Sequence, residues 1–180
     1  MPDRRIRKTD EAIKAAFFKL LKDEEYGRIG IKALCAEADI NRATFYLHYD
    51  GLDQLFYEIE EDMICRFREF SERYKEDRGN RANLLSVLLE YIKSSSEQMI
   101  ALLKCPKSDF LNALIADNCP ESFQSWQRLY EYGSQADFSY CYEFVANGCV
   151  AMIKKWVFDG MKEDTHTMAV LAEKMMKQKR

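Results

Sequence analysis

Between Asn41 and Tyr49 the chain gathers Arg42, Thr44, Tyr46 and His48, four side chains that can donate hydrogen bonds, with the small Ala43 among them. An arginine can grip a guanine edge through two parallel bonds, and a small residue lets a helix approach its partner closely. Hydroxyl and imidazole groups suit phosphate oxygens. This is the chemistry of recognition, not of bond breaking. The rest of the chain offers little for catalysis. Its two histidines, His48 and His166, lie far apart, and its six cysteines, at 35, 65, 105, 119, 141 and 149, include no C-x-x-C pair. Neither the spacing of zinc ligands nor a nucleophile with a partnered base is found. The expectation is therefore no enzymatic activity, no metal and no cofactor, with each cysteine acting as a small buried hydrophobe.

For those donors to act together, short helices must present them on one face. Helical periodicity predicts a first helix capped by Thr9, with Ile13, Ala16, Phe17, Leu20 and Leu21 on its apolar side and a stop at Tyr26-Gly27. A second helix runs from about Ile31 to Ala38. The turn Asp39-Ile40-Asn41 follows, and Asn41 caps a third helix from Arg42 to Tyr49. Asp50 is placed to cap a long fourth helix, apolar on one face from Leu52 to Tyr74 and broken at Arg78-Gly79-Asn80. The stretch from Ile31 to Tyr49 has the layout of a helix-turn-helix, whose second helix lies in the DNA major groove. Arg42, Ala43, Thr44, Leu47 and His48 then point away from the apolar face, with Lys32 at the start of the supporting helix.

Further along, a helix over about 82–103 is weakened at Ser94-Ser95-Ser96, and shorter helices are expected over 108–116 and 120–132. A long helix over 137–158 carries Val145, Gly148, Met152 and Trp156 on one seam but is apolar on other sides too, so it requires burial by its own domain and by a partner. Asp164 opens a last helix with Met168, Leu171 and Met175. With 47% hydrophobic residues, only 3 prolines and none from Asp3 to Cys105, the chain reads as all-α. No apolar run reaches the length of a membrane span or a secretory signal, which predicts a cytoplasmic protein with reduced thiols and no membrane partner.

The run from Ile31 to Tyr49, above all Thr44-Phe45-Tyr46-x-His48-Tyr49, closely resembles the DNA-binding domain of the TetR/AcrR family of transcriptional regulators, a pattern that also includes Phe17 and Leu55. The resemblance implies an N-terminal three-helix DNA-binding domain, residues 1–52, followed by a larger helical ligand-binding and dimerisation domain, residues 53–180. It further implies a repressor that binds a palindromic double-stranded operator as a homodimer and is released by a small-molecule effector. Lys32, Arg42, Ala43 and Thr44 are then the candidates for base or nearby backbone contacts, and Tyr46 and His48 for phosphates. Two positions depart from the family pattern: Asp39 stands where the turn normally has glycine, and Leu52 where the fourth helix usually begins with lysine. Asp39 tolerates the left-handed conformation at modest cost. Leu52 removes a phosphate contact, and Asp50 and Asp53 add repulsion beside it.

The segments Phe144–Cys149 and Lys154–Met161 also resemble the C-terminal region of a TetR-like group that includes a dihydroxyacetone-kinase operon co-activator. That resemblance implies dimerisation through the last two long helices, by way of Val145, Gly148, Met152, Trp156, Met168, Leu171 and Met175. It also keeps open an alternative, a co-regulator that binds a protein or metabolite without operator DNA. Phe67, Phe70, Met99, Phe110, Trp126, Tyr130, Tyr140 and Phe144 are the residues expected to line an effector pocket.

The net charge of -3 argues against indiscriminate coating of nucleic acid. Its distribution is uneven. Residues 1–52 carry ten Lys/Arg against nine Asp/Glu, or +1, and residues 53–180 carry seventeen against twenty-one, or -4. Arg4, Arg5, Arg7 and Lys8 form a basic arm beside the reading domain, expected to be a flexible segment that contacts phosphates or enters the minor groove.

Overall fold

A computed structural model of the 180-residue chain describes residues 4–78, 84–95, 97–114 and 135–176. All regular structure among them is helical: α1 (Arg4–Asp23), α2 (Ile31–Glu37), α3 (Arg42–His48), α4 (Leu52–Arg78), α5 (Leu84–Ser94), α6 (Glu97–Lys104), α7 (Gln135–Phe158) and α8 (Thr165–Met176), with a 3-10 turn at Tyr26–Arg28. Residues 110–114 are also helical; the helix expected over 120–132 lies outside the described residues.

The chain divides into two compact units, Met1–Arg66 with Glu97–Ser108, and Phe67–Ser96 with Asp109–Arg180. This packing division falls elsewhere than the functional boundary read at Leu52, because α6 returns to the first unit. The physical cause lies in the serine run. The Ser94 and Ser95 hydroxyls donate to the Tyr91 carbonyl at 3.0 and 2.5 Å, offering the backbone an alternative to further helical turns. A single weakened helix is thus two helices, each belonging to a different unit.

In the first unit, Ile13 and Phe17 of α1, Leu34 of α2, Phe45 of α3 and Leu55, Phe56 and Ile59 of α4 are buried, and Met99, Leu102 and Leu103 of α6 join them. Phe17 meets Phe56 edge-on at 6.0 Å, and Tyr26 meets Phe56 at 5.1 Å. Each of the two buried phenylalanines contributes about 1.5–3 kcal/mol. Helix α1 also corrects an expectation. Arg4, Arg5, Arg7 and Lys8 are helical, forming its first turns and not a flexible arm. No glycine or proline interrupts them, Arg7 pairs with Glu11 one turn on at 3.6 Å, and the Thr9 hydroxyl donates back to the Arg5 carbonyl at 3.0 Å, so Thr9 is an interior residue and not a cap.

In the second unit, α5 packs on α8, and Leu88, Leu89 and Ile92 of the one and Met168, Ala169 and Ala172 of the other are buried. The Thr165 hydroxyl donates to Glu90. Phe67 and Phe70 each lie 5.4 Å from the Tyr91 ring. Trp156, buried on α7, donates its indole N–H to the Glu163 carbonyl at 3.0 Å and so closes the turn between α7 and α8, where Gly160 and Met161 both have positive φ. Asp164 caps α8 by accepting from the Thr167 backbone N–H at 2.8 Å.

Candidate nucleic-acid interface

Helices α2 and α3 are joined by a turn whose geometry follows from one residue. Asp39 has φ 53, the left-handed region, and the Ile40 N–H donates to the Cys35 carbonyl at 3.0 Å while the Asp39 N–H reaches the Ala36 carbonyl at 3.4 Å. Together these bonds form the capping motif that ends a helix with a left-handed residue. Asn41 then opens α3, its side-chain oxygen accepting from the Thr44 N–H at 2.7 Å and from the Thr44 hydroxyl at 3.1 Å. Cap and turn are therefore local features of the sequence, and both follow the expected pattern.

What anchors α3 is not local. Phe45 is fully buried beneath it, and Tyr49, at its C-terminal end, is buried with its hydroxyl donating to Asp10 of α1. Lys14, one turn after Asp10, pairs with Asp10 at 3.1 Å and with Asp62 of α4. Burial, with Asp10 beside it, holds the Tyr49 hydroxyl well above the usual tyrosine range, so it stays a donor. Burial also pushes the Cys35 thiol up, in keeping with a buried hydrophobe under the turn. Nothing in the sequence signals this network, because its bonded partners lie up to 48 residues apart.

Most of the candidate contact residues are open to solvent. Arg42 and Ala43 are exposed, Thr44 and His48 are half-buried, Tyr46 is 52% exposed and Leu47 is 85% exposed; Lys32 is exposed in the first turn of α2. Arg4, Arg5, Arg7 and Lys8 are exposed along the start of α1. At the α4 end the expected repulsion is reduced. Asp53 accepts from the Tyr26 hydroxyl at 2.5 Å and from the Lys107 ammonium, which sits 4.7 Å from the centre of the Tyr26 ring. The bond from Lys107 is the main reason Asp53 lies below the usual carboxylate range. Asp50 does not supply the cap expected of it; its own N–H donates to the Gln54 side chain at 2.6 Å.

The residues expected around an effector are scattered. Phe67 and Phe110 are buried and Phe70 half-buried in the second unit, whereas Met99 is fully buried in the core of the first. Tyr140 and Phe144 point to solvent, 79% and 82% exposed, and Trp126 and Tyr130 lie outside the described residues. The expected dimer seam divides as well. Trp156 and Met168 are buried inside the protomer; Val145 and Met152 are half-buried, and Gly148, Leu171 and Met175 are exposed. Among the described residues no three His, Cys, Asp or Glu side chains are placed to hold a metal ion, and no helix is long and apolar enough to cross a membrane.

Residues 80–178, more than half of the chain, match the TetR-type family model described as the transcriptional regulator C-terminal region. A TetR transcriptional regulator from Streptococcus agalactiae 2603V has the same fold, with a TM-score of 0.74 at 22% identity over 98% of this chain and 97% of that one. The fatty acid degradation regulator FadR from Bacillus halodurans gives 0.58 at 11% identity over 94% and 99%. The dihydroxyacetone kinase operon activator DhaS gives 0.53 at 18% identity over 94% and 96%. No curated protein matches the chain in sequence.

Proposed function

Because this chain belongs to the TetR family of transcriptional regulators, we propose that it binds a palindromic operator as a homodimer, represses transcription there and is released by a small-molecule effector. The observation that carries this reading is the α2–turn–α3 unit, where a left-handed residue at Asp39, a capped α3 and a buried Phe45 leave Arg42, Thr44, Tyr46, Leu47 and His48 facing outward. Residues 1–52 hold the reading surface, and residues 53–180 hold dimerisation and effector response. Lys32, Arg42 and the basic first turns of α1 supply positive charge, which compensates for the lysine that Leu52 replaces.

The exposed apolar side chains of the second unit support dimerisation. Tyr140, Phe144 and Gly148 follow one another at single-turn spacing along α7, and Leu171 and Met175 do so along α8. Among the described residues beyond its own stretch of helix, nothing lies within 4 Å of where a Cβ on Gly148 would sit, so packing inside the protomer does not account for glycine there and the close approach of a partner helix does. Trp156 and Met168 drop out of this interface and belong to the protomer core. For two α3 helices of the dimer to enter successive major grooves they must lie about 34–36 Å apart. An effector that favours a different separation then releases the operator by a population shift.

Fluorescence anisotropy with the DNA upstream of the protein's own gene tests the proposal. Sequence-selective binding that weakens steeply with salt is expected. If binding is absent or insensitive to sequence, the co-regulator acting through a protein or metabolite becomes the better reading.

A further inference from the structure

The centre of the outward face of α3 is apolar. Successive helical residues turn by about 100°, and the fully buried Phe45 marks the inward direction. Ala43 and Leu47 fall opposite it, one turn apart on a single stripe. Thr44 and His48 lie on one flank of that stripe and Arg42 and Tyr46 on the other. Leu47 is 85% exposed, the most exposed large hydrophobic side chain among the described residues. The Thr44 hydroxyl hydrogen is already given to Asn41, which leaves that flank with one donor fewer for a base edge. Arg42 and Tyr46, sharing one flank, face one side of a groove, Tyr46 toward its backbone and Arg42 toward backbone or a neighbouring base edge. What meets the floor of the groove is a methyl and an isobutyl group.

Thymine is the base that presents an apolar group, its C5-methyl, in the major groove. We propose that Leu47 is a specificity-determining residue that packs on the methyl of a thymine in each half-site, with Ala43 giving α3 the clearance to bring it there. The inference rests on the operator-binding reading above and adds to it the kind of base that is read and the residue that reads it. Hydrogen-bonded readout of guanine by Arg42 is then secondary.

The test uses the full-length protein. Duplexes are selected from a randomised pool, and each thymine of the selected half-site is then replaced singly by deoxyuridine, which lacks only the methyl. With the wild type, one replacement is expected to weaken binding about fourfold, the effect of removing one methyl group from an apolar contact. Leu47→Ala should bind the thymine and uracil duplexes equally well. Because Leu47 is exposed, its unfolding midpoint should match the wild type's. If the wild type selects a site but tolerates every uracil, or if Leu47→Ala keeps the full discrimination, the Leu47 assignment is overturned while operator binding stands. Failure of the wild type to select any sequence overturns the operator reading and this inference together.

Discussion

Replacing Asp39 measures how much of the turn's geometry the chain must force. At φ 53 an L-residue carries a left-handed penalty of about 1–2 kcal/mol, and aspartate is among the residues that bear it best. Glycine removes the penalty but adds freedom to the unfolded chain, worth about 0.4–1 kcal/mol. Alanine keeps the full penalty and has no polar side chain to offset it. Because Asp39 is exposed, neither substitution loses packing. The two effects together place Asp39→Gly about 1 kcal/mol above Asp39→Ala in stability, with the wild type between them or level with glycine. In a chain of this size that gap is a shift of about 2–4 °C in Tm. Urea titration should show the same order in midpoint with unchanged slope. Asp39→Ala as stable as Asp39→Gly would refute the left-handed turn, and with it the angle at which α3 is presented.

Tyr49→Phe removes the hydroxyl that ties the end of α3 to Asp10, and since Lys14 still pairs with Asp10 the loss should be about 1.5 kcal/mol, read by chemical denaturation. Arg42→Ala should relax base preference at one position, whereas Tyr46→Phe should weaken binding to all duplexes alike, a contrast visible in competition titrations. Phe144→Asp puts a charge on the exposed apolar stripe of α7 and should convert dimer to monomer in sedimentation equilibrium without lowering the protomer's helix content. Asp164 is held below the usual carboxylate range, first by the Thr167 backbone N–H and then by its hydroxyl. A lowered folded-state value makes its contribution complete at neutral pH and lost as the pH falls from about 4, the ordinary carboxylate value, down through the lower folded-state one. The difference in Tm between wild type and Asp164→Asn should therefore shrink over that range.

Local chemistry made most of the helices legible in the sequence. The spacing of Ile31, Leu34 and Cys35, the cap at Asn41 and the tolerance of Asp39 for a left-handed backbone all act within a few residues, so the α2–turn–α3 unit could be read without its surroundings. The break at Ser94-Ser95 was legible as a weakness, but not as a hand-over of α6 to the other unit. At the start of α1, four cations in five residues suggest a solvated tail, whereas no residue there opposes helix and Glu11 supplies the pairing charge.

Tertiary structure decided what joins distant residues and which of two apolar faces is covered. Lys107 beside Asp53, and Lys14 between Asp10 and Asp62, bring together charges about fifty residues apart, and no periodicity records such pairs. On α7 the sequence shows apolar residues on several sides. Only packing against the rest of its unit determines that Ile153, Trp156 and Val157 turn inward while Tyr140 and Phe144 remain exposed. The same holds on α3, where the sequence shows a leucine among donors and the burial of Phe45 places that leucine at the centre of the outward face. A helix fixes the angles between its own side chains; the partners it packs against fix which direction is out.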